Sequence, residues 1–173
     1  MEPSSLFGST VRLERLAEAN RARIVAIRRT ENVACRWRGD DLDAEFTDGL
    51  DDDELHQFAI ETPDGHVVGM IQFSEEDDPD YRHASIDIFV DPAAQRRGFA
   101  SDAIRTLARY LFDQRSHHRL VIDPAVDNEA AIACYAHVGF QPVGIMRSYE
   151  RQRDGTWADG LLMEMLRTDQ PPG

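Results

Sequence analysis

The chain is predicted to be α+β, built on a mixed, mostly antiparallel sheet, and three observations carry that prediction. Residues 84–90 alternate, so that Ile86, Ile88 and Val90 fall on one face of a pleated strand and Ser85, Asp87 and Phe89 on the other. Shortly after, Ile104, Leu107, Ala108, Leu111 and Phe112 recur at helical spacing, which makes strand, short loop and amphipathic helix consecutive. Two further strand-like runs, 56–62 and 67–74, meet at Pro63-Asp64-Gly65, a hairpin turn signal.

In chain order, residues 1–8 read as a flexible terminus. Val11, Leu13 and Leu16 alternate with Arg12 and Glu14 in a first strand. A helix is expected over 18–29, with Ala22, Ile24, Val25 and Ile27 toward the core and the arginines outward. Residues 36–41 are too irregular for a regular element, and a short amphipathic turn of helix follows over 43–50. The hairpin strands come next, the second apolar on both faces at 67–71 and therefore central. Asp91-Pro92 ends the strand at 84–90, and the following helix reaches 112–115. Leu120-Val121-Ile122 must lie parallel to 84–90, because a helical crossover separates them. Asp123-Pro124 ends that strand; Asn128 caps a helix through Ile132, Tyr135 and Val138 that Gly139 stops. A last hairpin, 141–149 with 161–166, turns around Asp154-Gly155-Thr156, and 169–173 is a flexible tail.

With 173 residues the chain, 1–173, reads as one domain, able to bury roughly 70% of its unfolded surface. Cys35 and Cys134 are far apart with no Cys-x-x-Cys partner, so reduced thiols are expected. The six histidines form no ligand pattern, and no metal site is expected. No signal peptide is read, and no apolar run approaches the roughly 20 residues that cross a bilayer, so a cytoplasmic protein without a membrane partner is expected. The net charge of −13 argues against nucleic acid and is compatible with a small cationic amine substrate. The acids cluster: residues 40–54 hold no Lys or Arg, and 75–80 form a second acidic run. Such runs are either solvated surface or, where they converge on a cleft, a field that steers cations inward.

The stretch Gln95-Arg96-Arg97-Gly98-Phe99-Ala100 opens the helix after the 84–90 strand. The first N–H groups of a helix lack intrahelical partners and lie at the positive end of its dipole. Gly98 lets the backbone approach a ligand, and Arg96 and Arg97 add charge, so the loop is either an ordinary turn or an anion site. Gln-x-x-Gly-x-Ala in this setting resembles the acyl-CoA pyrophosphate loop of the GNAT superfamily of N-acetyltransferases. The element order matches that fold, which implies a six- to seven-stranded sheet with helices on both faces, splayed between its fourth and fifth strands. Asn128-x-x-Ala131-Ile132-x-x-Tyr135-x-x-x-Gly139-Phe140 is similar to a further GNAT region, at the right distance downstream.

The resemblance implies acetyl-CoA as cofactor, held by Phe89, Val90, Gln95, Arg96, Arg97, Gly98, Phe99, Ala100, Ser101, Asn128 and Ala131. It implies that a backbone N–H near Phe89 or Val90 polarises the thioester carbonyl and that Tyr135 gives a proton to the departing thiolate. Local physics alone makes Asn128 an N-cap and Tyr135 core. The acceptor amine must lose a proton, and Asp87, mid-strand where acids are disfavoured, is either its base or a solvated side chain. Ser85-Ile86-Asp87 with the loop, Asp123-Pro124-x-x-x-Asn128 and Trp37-Arg38-Gly39-Asp40 resemble aminoglycoside 6'-N-acetyltransferases in particular. That implies Asp87 and Asp123 as groups that bind or deprotonate an antibiotic's amines, with Trp37 and Asp40 in the substrate loop; Trp37 is otherwise core packing. Ile88-Phe89-Val90 and a longer 147–160 loop depart from those enzymes on the acceptor side. A peptide N-terminal acetyltransferase and a CoA-binding domain without turnover are the other readings. The superfamily resemblance also implies a homodimer.

Overall fold

The alternations and repeats of the sequence become strands and helices in the computed structural model, which describes residues 3–170. These are β1 (Ser5–Phe7), β2 (Arg12–Arg15), α1 (Arg21–Arg28), α2 (Glu31–Ala34), α3 (Leu42–Asp51), β3 (Leu55–Glu61), β4 (Val67–Glu76), β5 (His83–Val90), α4 (Phe99–Asp113), β6 (Arg119–Ile122), α5 (Glu129–Val138), β7 (Gln141–Arg151) and β8 (Trp157–Leu166). The strand order is β1-β2-β3-β4-β5-β6-β8-β7. β5 and β6 pair in parallel, as the helical crossover requires, and the β1–β2, β2–β3, β3–β4, β6–β8 and β7–β8 pairs are antiparallel. The GNAT fold is therefore present, with eight strands among the described residues. The chain forms two compact units, one of residues up to Ser74 with Asp87–Tyr110, the other of Glu75–Ile86 with the residues from Leu111 on; β5 runs from the second into the first.

In the first unit α1, α2 and α3 bury Ile24, Ile27, Val33 and Phe46 against Ala59, Met70 and Phe89 of the strands. Ala22 is exposed rather than inward. It stands about 200° around the helix from Ile24, on the opposite face. α2, only four residues long, lies where no regular element is expected. α4 buries Ile104, Leu107 and Ala108, and Tyr110 meets Phe73 edge-on at 6.2 Å.

The segment expected to be a flexible terminus holds β1, paired with β2 from Ser5↔Glu14 to Phe7↔Arg12. The cause lies far along the chain. Asp102, in the first turn of α4, accepts from the Ser9, Thr10 and Val11 N–H groups at 3.1, 2.6 and 3.0 Å, and Arg109 donates to the Phe7 carbonyl at 3.0 Å. Burial pulls the Asp102 carboxyl upward, but those hydrogen bonds outweigh it and hold it below the usual carboxylate range. Residues 1–2 of that terminus and 171–173 of the expected tail lie outside the described residues; Arg167–Asp169 forms a 3-10 turn.

Gly69 of β4 decides how β5 ends. A Cβ built there collides with the Phe89 carbonyl oxygen and comes within 3.0 Å of Val90 Cα. Just beyond, Asp91 N–H donates to the Val68 carbonyl at 2.7 Å, and Asp91 accepts from Arg23 and from Ala93 N–H. Asp91-Pro92 thus stops the strand as expected.

In the second unit β5 pairs with β6 through Ala84↔Leu120 and Ser85↔Val121, and β6 pairs with β8 from Arg119↔Leu166 to Ile122↔Met163. The expected long 147–160 loop is mostly strand: β7 extends to Arg151, β8 begins at Trp157, and only a tight turn with Gly155 at φ +86° remains. Glu75 is buried, its side chain 7% exposed, and accepts from Arg115 and from His117 Nε2. His117, 1% exposed, is pushed down by burial, against the opposing pull of its hydrogen bond to Glu75. Desolvation opposes ionisation of Glu75, yet the hydrogen bonds from Arg115 and His117 prevail and lower it from 4.5 to about 2.

Gly69→Ala should destabilise the protein by about 3 kcal/mol, because backbone stands in the way rather than a flexible side chain; denaturant unfolding measures it. A depressed folded-state value means that the Glu75 contribution is present above 4.5 and lost as pH falls toward about 2. Stability followed by denaturant midpoint should decline across that window, and Glu75→Gln, which strands Arg115 and His117 at a cost of about 3 kcal/mol, should flatten the decline.

Candidate functional site

The loop after β5 is shaped by backbone conformation. Arg96 and Gly98 adopt φ +60° and +81°, and the Asp102 N–H closes the first turn of α4 on the Gly98 carbonyl at 3.0 Å. A Cβ at Gly98 would meet nothing within 4 Å, so glycine is needed there for its left-handed φ rather than for space. Gln95, Arg96, Arg97 and Gly98 are all exposed, while Phe99 is buried and carries the Arg97 guanidinium over its ring at 4.8 Å. Gln95 Nε2 folds back to the Val90 carbonyl at 3.4 Å. Ala100 and Ser101 are half-buried in the first helical turn. Beside the loop lies a cavity of about 550 Å³ bounded by Arg97, Phe99, Thr10, Thr62 and His66. Exposed guanidinium groups before a fifteen-residue helix fit the pyrophosphate of a CoA thioester.

Elsewhere in the first unit, Asp87 is exposed at the end of a row of amides. Gln57 and Gln72 are directly opposed on β3 and β4; Gln57 Nε2 donates to Gln72 Oε1 at 2.9 Å, and Gln72 Nε2 donates to Asp87 Oδ2 at 3.4 Å. Gln57 is 9% exposed and its Oε1 is buried with no partner among the described residues. Trp37 is half-buried and packs edge-on to Phe89 at 4.8 Å, so it belongs to the core cluster and walls one side of it. Asp40 is exposed, in a loop that Arg28 ties to α3 by donating to the Trp37 and Arg38 carbonyls and to Glu45.

In the second unit Asp123 follows β6 directly. Burial raises its carboxyl above the usual range; the Tyr149 hydroxyl, donating to Oδ2 at 2.5 Å, draws it down, and the Glu150 charge pushes it up again. Asn128 is the N-cap of α5, its Oδ1 accepting from the Ala131 N–H at 3.3 Å. The cap occupies that N–H, so Asn128 can offer a ligand its amide N–H₂. Tyr135 is 8% exposed on α5, its ring 6.4 Å from Phe140.

Gln57, Gln72, Tyr149 and Glu150 are absent from the sequence expectations. Two amides inside otherwise apolar strands were a signal for the first pair; nothing local marks Tyr149, whose partner is 26 positions away.

Residues 22–140 match the model of the acetyltransferase (GNAT) family. Among curated proteins, the N-alpha-acetyltransferase RimI of Mycobacterium tuberculosis is 40% identical over 73 residues, 42% of this chain and 44% of that protein. The spermidine N(1)-acetyltransferase of Vibrio cholerae is 26% identical over 105 residues, 61% of this chain and 60% of that protein. The structure of spermidine N-acetyltransferase from Vibrio cholerae in complex with CoA and spermine superposes with a TM-score of 0.80 at 22% identity, over 93% of this chain and 98% of that one. No helix among the described residues is long and apolar enough to cross a membrane. With the family's pattern spanning residues 22–140 and its fold in place, the protein belongs to the acetyltransferase (GNAT) family and is an acetyl-CoA-dependent acetyltransferase.

Proposed function

We propose that the chain transfers acetyl directly to a primary amine of a small, multiply charged acceptor, of which a linear polyamine of the spermidine type is the first member and an aminoglycoside 6'-amine the second. The observation that carries this reading is Asp123, a half-buried aspartate whose carboxyl sits above the usual range at a strand end, where a general base is wanted. The similarity to a spermidine N(1)-acetyltransferase supports the polyamine. The net charge of −13 supports a cationic acceptor of either kind.

Acetyl-CoA, when bound, supplies a thioester already activated toward an amine. In the proposed scheme Arg96 and Arg97 and the N–H groups at the start of α4 neutralise its phosphates, with Gln95, Gly98, Phe99, Ala100 and Ser101 forming the loop of the first unit. In the first unit Asp87, to which Gln72 donates, is the group suited to an ammonium, and in the second unit Asp123 is the group suited to take an amine's proton. Backbone N–H groups at Phe89 and Val90 stabilise charge developing on the carbonyl oxygen. Tyr135 protonates the leaving sulfur through its phenol O–H. Trp37 and Asp40 border the acceptor.

A second reading, acetylation of protein N-termini, is favoured by the 40% identity to RimI across 73 residues. Incubation with acetyl-CoA and a mixture of spermidine, kanamycin-type aminoglycosides and N-terminal peptides, read by mass spectrometry, separates the two. Acetylated polyamine or aminoglycoside is expected, and peptide acetylation alone would replace this reading with the second. Asp87→Ala and Asp123→Asn should each lower kcat about a hundredfold while the Kd for CoA stays within about twofold.

A further inference from the structure

β7 loses register with β8 between the pairs Met146↔Gly160 and Glu150↔Ala158, where Arg147, Ser148 and Tyr149 stand against Asp159 alone. This bulge is pinned on every side. Ser148 adopts φ +49°, uncommon for a residue with a side chain, and its N–H donates to Asp159 Oδ1 at 2.8 Å. β8 in turn holds the chain that leaves β6: the Leu161 N–H donates to the Pro124 carbonyl at 2.8 Å and the Val126 N–H to the Asp159 carbonyl at 3.2 Å. The Tyr149 ring lies over Gly160, where a Cβ would stand 2.9 Å from its Cδ1. At the far end of that ring the hydroxyl reaches Asp123 Oδ2 at 2.5 Å.

We propose that Tyr149 is a positioning residue for Asp123: the β7 bulge and the bare surface of Gly160 aim its hydroxyl so that the carboxylate at the end of β6 is held in one orientation. A residue at positive φ, a glycine platform and a hydroxyl donor converge on one oxygen, although Tyr149 itself is 49% exposed and gains little from burial. The groups acting on this carboxyl are Tyr149 by donation and Glu150 by like charge, both on β7, together with the backbone N–H of Asp123 itself, which also donates to it. Asp159, from β8, is engaged by the Ser148 N–H. A donor to the ionised form keeps Asp123 able to accept a proton; without it, burial and Glu150 act unopposed by that bond. The inference rests on the reading of Asp123 as the group that takes the acceptor's proton.

The test is a ¹³C NMR titration of the Asp123 carboxyl in the wild type, Tyr149→Phe and Gly160→Ala, run beside the pH dependence of kcat/KM for the acetylated acceptor. Tyr149→Phe keeps the ring on Gly160 and removes only the hydroxyl, so it serves if Gly160→Ala fails to fold. The expected result is an Asp123 midpoint moved to higher pH in both variants. The acid limb of kcat/KM should move with it, with about a tenfold loss on that limb and an unchanged KM for acetyl-CoA. An Asp123 midpoint that stays put in Tyr149→Phe overturns the inference. A midpoint that moves while the rate profile does not supports the link between Tyr149 and Asp123 and overturns the role of Asp123 as base.

Discussion

The end of β5 depends on one close approach, the Phe89 backbone against Gly69 of β4. Any side chain at Gly69 would push β5 outward, and the bonds that follow would be lost with it. These are the Asp91 N–H on the Val68 carbonyl and the Arg23 pair with Asp91. Beyond them the chain turns through Arg96 and Gly98 in the left-handed region and enters α4. A strand that ends abruptly, a loop of positive φ and a helix start are in this way one unit of construction, and it presents N–H groups and guanidinium groups together.

The acidic character of the chain works through individual environments rather than through the total. Glu75 and Asp123 are both withdrawn from water. Glu75 faces Arg115 and His117 and falls to about 2, which makes it a structural anion. Asp123 faces one phenol and another carboxylate, remains above the usual range, and is suited to proton transfer. Opposite outcomes for two carboxylates in the same unit follow from how far each is desolvated and from which groups face it.

Local signals were the legible part of the fold. Alternation at Ile86, Ile88 and Val90, the apolar stripe of α4, the Asn128 cap and the Gly139 stop each act within one element, and each is present at its expected place. Residues bound at long range were not legible. β1 needs Asp102, more than 90 positions away, and the length of β7 and β8 comes from their mutual register, not from apolar patterning. Of the proposed site, the glycine loop and Asp123 could be named from the sequence, the loop by its place before a helix and Asp123 by resemblance. The row of Gln57, Gln72 and Asp87 and the reach of Tyr149 across Gly160 could not, since each depends on which residues become neighbours in the sheet.

The backbone from the end of β5 through the first turn of α4 is proposed as the cofactor site, and hydrogen exchange with and without CoA distinguishes this from binding elsewhere. Slowed exchange at the amides of residues 89–101 on adding CoA is expected. Saturating CoA that leaves those amides unchanged while protecting another part of the chain would contradict it.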